Sequence, residues 1–285
     1  MTQTIPMNRR DFLKSFGAIP LGIGALGLGR NGSGESAADT SAVVTEQIQI
    51  PLKNLAPALE GFKIVQLSDL HLQPYTQIEL IQQTVDKANA LQPDLIVLTG
   101  DYVTRKAEPI FELAPVLATL NARYGVFSIF GNHDLWTDVN VVRTGLEEAG
   151  LSILQNQGVT LGVGSALLYL AGVDDGWSGQ PDLDAALNQQ PSNTTTILLA
   201  HEPDLADSFA QDGRISLQLS GHSHGGQVRI PGIGAPVLPN LGRKYDHGLY
   251  NVDDMWLYTN RGIGLVFPVR INCPPEITEI TLVSA

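Results

Sequence analysis

The hydrophobic positions change period several times along the chain, and each change marks an element. Gln47-Ile48-Gln49-Ile50-Pro51-Leu52 alternates, the pattern of an edge strand that ends near Pro51. Residues 62–67 form a second apolar strand that runs into Ser68-Asp69-Leu70-His71. From Thr76 to Leu91 the period becomes helical, with Ile78, Ile81, Val85 and Ala88 on one face and Thr76 as N-cap. Pro93-Asp94 breaks that pattern. The run 95–99 is apolar up to Thr99, as in a strand covered on both faces, and it ends at Gly100-Asp101. A helix over about 107–121 leads to a strand over 125–130. That strand leaves through a loop, Gly131-Asn132-His133-Asp134, before a helix over about 138–149.

The second half reads differently. Residues 158–163 and 166–172 form a hairpin around a Gly-Ser turn, and 182–189 a short helix. A buried strand over 195–200 ends at His201-Glu202-Pro203, and Pro203 suits the start of the next helix. A strand over 215–220 ends at Gly221-His222-Ser223-His224. Further strands are expected at 228–230, 255–259 and 276–283. The Gly- and Pro-containing loop 231–247 is the expected rim of a site.

Acids and imidazoles recur at the C-terminal ends of these strands, where ligands bind in open α/β sheets. Asp69 and His71, like His222 and His224, are two residues apart, so in extended chain each pair faces one side. One such acid is an ordinary helix cap, and a Gly-Asn turn is an ordinary loop. Five of the six histidines, His71, His133, His201, His222 and His224, sit at the ends of expected strands. Together with Asp69, Asp101 and Asn132 they fit a two-metal site. His247 lies in the rim loop and reads as structural.

Composition narrows the partners. The net charge of −12 argues against a nucleic-acid polymer, which needs clustered cations. An anionic small substrate stays compatible, because bound divalent ions reverse the local field. The single cysteine, Cys273, allows no internal disulfide and reads as a buried small side chain rather than a nucleophile.

Residues 1–42 read as a signal and linker, leaving 43–285 as the domain. Arg9-Arg10 followed by Phe12-Leu13-Lys14 resembles a twin-arginine export signal, with Asn8 where Ser or Thr is usual. The apolar run that follows is about 14 residues long, short of the roughly 20 that a membrane span needs. Export by the twin-arginine machinery would place the protein in the periplasm, in the cell wall or on the outer face of the membrane. An uncleaved signal would keep it associated with the membrane surface.

Asp69-x-His71, Gly100-Asp101, Gly131-Asn132-His133-Asp134, His201 and Gly221-His222-Ser223-His224 resemble, in order, the five motifs of the calcineurin-like metallophosphoesterases. The likeness covers about 62–226. The stretches 258–264 and 270–276 resemble a bacterial branch of exported or membrane-associated phosphohydrolases. The resemblance implies an α/β fold: a four-layer αββα sandwich, with two mixed β-sheets flanked by helices. It also implies two divalent metal ions, Mn, Fe, Zn or Co, which ligand spacing does not distinguish. Asp69, His71 and His224 would hold one, and Asn132, His201 and His222 the other, with Asp101 bridging. A hydroxide between the ions would attack the phosphorus in line. His133 would assist the leaving oxygen, and Asp134 would orient His133. Purple acid phosphatases carry a tyrosine three residues after the bridging aspartate; here that residue is Thr104, so no tyrosinate colour is expected. The substrate would be a small phosphoester, diester favoured over monoester, with lipid- and nucleotide-linked forms both open. The competing readings are a catalytically silent scaffold of the cell envelope, which would lack ligands, and a metal store, which would not need His133 and Asp134.

Overall fold

The structure is a computed structural model, and it describes residues 42–285. Apart from Ala42, the expected signal and linker lies outside the described residues.

Two six-stranded sheets account for the domain. The first has the order β1-β12-β2-β3-β4-β5, with β1 at Val44–Leu52, β2 at Lys63–Leu67, β3 at Leu95–Leu98, β4 at Val126–Ser128, β5 at Ser152–Ile153 and β12 at Glu276–Ser284. β2 to β5 run parallel, as right-handed strand–helix–strand units require, and β12 enters antiparallel to β2. The second has the order β10-β11-β9-β8-β7-β6, with β6 at Gln157–Val163, β7 at Ala166–Gly172, β8 at Thr195–Leu199, β9 at Leu217–Ser220, β10 at Gly248–Val252 and β11 at Met255–Thr259. It too is mixed, with parallel central pairs and antiparallel outer ones.

Side-chain alternation builds the layers. Ile64, Leu95 and Val97 of the first sheet pack with Leu168, Leu170, Ile197 and Leu199 of the second, forming the core between the sheets. Their neighbours in sequence, Val65, Ile96 and Leu98, face outward onto the helices α1 (Ile78–Ala90), α2 (Ile110–Leu117) and α4 (Val139–Glu148). Tyr169, Ala171 and Leu198 face the opposite way, onto α5 (Leu183–Leu187) and α6 (Ala206–Phe209). The expected four-layer αββα sandwich is the fold observed.

Several local readings are corrected. The residues 131–134 are not an open loop: Gly131 is the N-cap of a short helix, α3 (Asn132–Thr137), and Asp134 reaches back to the Gly131 N–H. Thr76 does not cap α1; that position is Gln77, and the Thr76 hydroxyl instead accepts the Leu265 N–H at 3.0 Å. β1, by contrast, is the expected edge strand and ends at Leu52, one residue past Pro51, where an edge tolerates proline. Val228 to Ile230 makes only isolated bridges, to Ile271 and Gly234. β5 and β10 were not anticipated; β5 is two residues long and β10 lacks a clean apolar face.

Candidate metal centre

The ends of β2 and β3 are stitched together by backbone. The Asp69 N–H donates to Gly100 O at 3.0 Å, and the His71 N–H to Asp101 O at 3.0 Å. This register brings Asp69, His71 and Asp101 to one point. Five of the expected site residues sit in left-handed backbone: Asp69 (φ 51°), His71 (φ 45°), Asp101 (φ 59°), His222 (φ 70°) and His224 (φ 52°). Each such residue costs on the order of 1–3 kcal/mol, and clustered strain of this kind is characteristic of functional sites.

From the second sheet, the turn after β9 closes onto the first. The His222 N–H donates to both carboxylate oxygens of Asp69, at 3.1 and 3.0 Å. A Cβ on Gly221 would collide with Ser68 Oγ and Asp69 Oδ2, so glycine is needed for this approach. His201 follows β8 and is fixed by donating Nδ1–H to Thr99 O at 2.6 Å.

The donor atoms converge. Asp101 Oδ2 lies 3.3 Å from His71 Nε2 and 3.3 Å from His201 Nε2. His224 Nε2 lies 3.2 Å from Asp69 Oδ1 and 3.0 Å from His71 Nε2. Three residue groups have ligand atoms within 4.8 Å of one another: Asp69, His71 and His224; His71, Asp101 and His133; and Asp69, Asp101 and His201. The second group includes His133, which the sequence reading kept apart from the ligands. His222 stands at the edge of the cluster, its ring 5.0 Å from that of His201. Asn132 is buried, and its Oδ1 receives no hydrogen bond among the described residues.

Backbone carbonyls assign the ring nitrogens. His71 Nδ1 faces Val103 O at 3.3 Å, His133 Nδ1 faces Thr104 O at 2.9 Å, and His222 Nε2 faces Asn240 O at 2.8 Å. Each carbonyl requires a proton on the nitrogen it faces, so the other nitrogen carries the lone pair. This is the arrangement that orients metal-ligating imidazoles.

Electrostatics agree with a cation-binding role. Burial would raise the carboxyls of Asp69 and Asp101, but His224 beside the first and His201 and His133 beside the second hold both below the usual range. Burial pushes His133 and His224 down to about 4, with Asp101 and Asp69 respectively opposing it. Burial lowers His222 as well. His201 is the exception: burial disfavours its charge, yet Asp101 raises it well above the ordinary value. Ionised carboxylates packed among largely neutral imidazoles, with an orphaned amide oxygen, make a donor set suited to divalent ions of the Mn–Zn series. These residues fit a metal centre.

The expected role of Asp134 is corrected. Its carboxylate accepts the N–H of Gly131 (3.0 Å), Asp101 (2.9 Å) and Tyr102 (2.9 Å). It therefore fixes the Asp101 turn, while the Thr104 carbonyl holds Nδ1 of His133. Burial, reinforced by the Asp101 charge, lifts the Asp134 carboxyl to about 7. His247 pairs with Asp246 at 3.2 Å and belongs to none of the three groups. Cys273 is buried and donates its S–H to the His224 carbonyl at 3.2 Å, supporting that turn from behind.

Residues that the sequence reading passed over complete the support. Gln66 donates to Thr99 Oγ1 and Ser220 O, Thr99 to Ser68 Oγ, and Ser68 to Asp69 Oδ2 at 2.5 Å, a buried relay linking both sheets to Asp69. Glu202 accepts the Gly176 N–H at 2.7 Å, and Asp175 accepts those of Trp177 and Ser178. Trp177 stands edge-on to His222, and Trp136 packs on His133. The available signal was polar residues inside apolar strands, Gln66 and Thr99, and the acid directly after His201.

With this fold and this donor set, comparison with known proteins is direct. The model of the calcineurin-like phosphoesterases matches residues 62–226, and the chain belongs to that family. The chain is 37% identical over 285 residues to the uncharacterized metallophosphoesterase YkuE of Bacillus subtilis, covering 98% of each chain. It is 35% identical over 234 residues to the phosphodiesterase YaeI of Escherichia coli, covering 81% of this chain and 84% of that one. Among solved structures, the sulfate thiohydrolase SoxB of Thermus thermophilus superposes with a TM-score of 0.50 at 13% identity, over 80% of this chain and 57% of that one, a likeness of fold.

Proposed function

We propose that this chain is a dinuclear-metal phosphodiesterase. Asp69, His71 and His224 would hold one divalent ion, Asn132, His201 and His222 the other, and Asp101 would be shared. The observation that carries this reading is the position of Asp101 Oδ2, at 3.3 Å from a nitrogen of each ligand set. Divalent ions bound there supply Lewis acidity toward phosphoryl oxygens and activated water near neutral pH.

The chain's own residues do the rest. Asp134 and the Gln66–Thr99–Ser68 relay hold Asp101 and Asp69 in place. His133 delivers a proton at Nε2 to the leaving oxygen. Its Nδ1–H is committed to the Thr104 carbonyl, so that proton exists only on the charged ring, which burial disfavours and the Asp101 charge favours. Preference for diesters is supported by the likeness to YaeI, named a phosphodiesterase. The net charge of −12 supports small substrates over nucleic-acid polymers. The Arg9-Arg10 motif supports twin-arginine export and action outside the cytoplasm.

The test is hydrolysis of bis(p-nitrophenyl) phosphate against the monoester, by protein stripped with chelator and reloaded with manganese. Diester turnover that requires both metal and His133 is expected. Turnover of the monoester alone would contradict the diester reading.

A further inference from the structure

Two of the chain's three tryptophans, Trp136 and Trp177, stand beside the metal centre, and the proposed chemistry uses neither. Trp136 follows His133 by three residues on α3, so both share one helix face, and their rings are 4.8 Å apart. Trp177, on the loop after β7, meets the Trp136 ring at 5.0 Å with the two planes at 76°. It also stands 5.6 Å from the ring of His222. The four rings form a continuous row from the proton donor of the proposed reaction to a proposed ligand of the second ion.

Both indoles are held in place without being part of a core. The Trp136 Nε1–H donates to Ser178 Oγ at 2.6 Å, which ties α3 to the loop of Trp177. Asp175 accepts the N–H of Trp177 at 3.1 Å and that of Ser178 at 2.5 Å, and Glu202, next to His201, accepts the Gly176 N–H at 2.7 Å. His133 and His222 are buried, whereas Trp136 and Trp177 are half-buried. Among the described residues, neither indole belongs to any of the three hydrophobic clusters that build the sandwich. Trp256 differs: it packs against the core between the sheets, at the start of β11, the end remote from the site.

We infer that Trp136 and Trp177 are specificity-determining residues that bind a nucleobase of the substrate while its phosphoryl group lies in the metal centre. An indole stacks on any base, because every base has a π face. Two indoles at 76° form a corner, in which a flat ring stacks on one and turns its edge to the face of the other. Each indole lies one ring beyond a residue of the centre, as a base lies one sugar beyond its phosphate. A saturated acyl chain has no π face to stack. The inference rests on the phosphodiesterase reading and narrows it: of lipid- and nucleotide-linked esters, it selects the nucleotide-linked.

The experiment titrates the manganese-loaded full chain with adenosine 5′-monophosphate and with ribose 5-phosphate, which share sugar and phosphate and differ in the base. By calorimetry the nucleotide is expected to bind ~5–150-fold more tightly, the usual effect of one stacked base. It is also expected to quench tryptophan emission, which ribose 5-phosphate leaves unchanged. Trp177→Ala should bring the two affinities within about twofold of each other, and Trp177→Phe, which keeps an aromatic face, should restore most of the preference. Equal affinities in wild type, emission that the nucleotide leaves unchanged, or a preference that survives Trp177→Ala overturns the inference. The first two readouts use wild type alone, so they decide the matter even if the Ala variant fails to fold. Loss of the phosphodiesterase reading would show separately, as absent turnover of bis(p-nitrophenyl) phosphate by protein that still prefers the nucleotide.

Discussion

Asp101 and Asp134 hold each other's turns reciprocally. Asp134 Oδ2 accepts the Asp101 N–H at 2.9 Å, while Asp101 Oδ1 accepts the N–H of His133, the residue before Asp134, at 2.8 Å. The carboxylate that lies between His71 and His201 is thus aimed by a second carboxylate.

Asp134→Ala leaves three buried N–H groups without their acceptor, at roughly 1–3 kcal/mol each. The melting temperature should fall by on the order of 10 °C, at about 2–4 °C per kcal/mol. Metal content should fall with it, because Asp101 loses its orientation. Asp134→Asn keeps one accepting oxygen and should lose less. Calorimetry with metal analysis checks both; an Ala variant that melts and binds metal like wild type would refute the clamp.

His133→Ala should behave in the opposite way. Its ring is supported by the Thr104 carbonyl, and removing it leaves the Asp69, Asp101 and His201 contacts in place. Diester turnover should drop by ~10²–10⁴, the usual contribution of a positioned proton donor. Metal content should stay near that of wild type. Loss of metal in His133→Ala would make the ring a ligand, as its membership of one close donor group allows.

Metal removal should destabilise the fold. Asp69 and Asp101 are buried, and both carboxyls are held below the usual range. Manganese at about 100 times its dissociation constant should add ~2.7 kcal/mol per site, a rise in melting temperature of several degrees over chelated protein. Scanning calorimetry with and without chelator reads this directly.

Gly221→Ala should abolish metal binding. Its Cβ would displace Ser68 and Asp69 together, and overpacking of this kind costs about 1–3 kcal/mol or more. Gly162→Ala, which meets nothing within 4 Å, is the matched control.

The first sheet was legible because buried strands such as β3 announce themselves as apolar runs; β8 is such a run too, but the second sheet rested mostly on the family resemblance. The clustering of histidines at their ends announced the chemistry. What escaped was decided by tertiary contact. Asp134 has the residue type of an orienting acid, but only the packing of the Asp101 turn shows which groups it orients. Thr76 has the residue type of a cap, but the Leu265 N–H claims its hydroxyl. The carbonyls of Val103, Thr104 and Asn240, which assign the ring nitrogens, belong to the backbone and leave no mark in the sequence. The helix α3 was hidden because its first turn is made of the site residues themselves.

The most direct test counts metal ions in the purified protein and its Asp101→Ala variant by native mass spectrometry, with elemental analysis. A shared carboxylate predicts two ions per wild-type chain and loss of both in the variant. One ion in wild type, or two retained in the variant, would contradict the dinuclear centre.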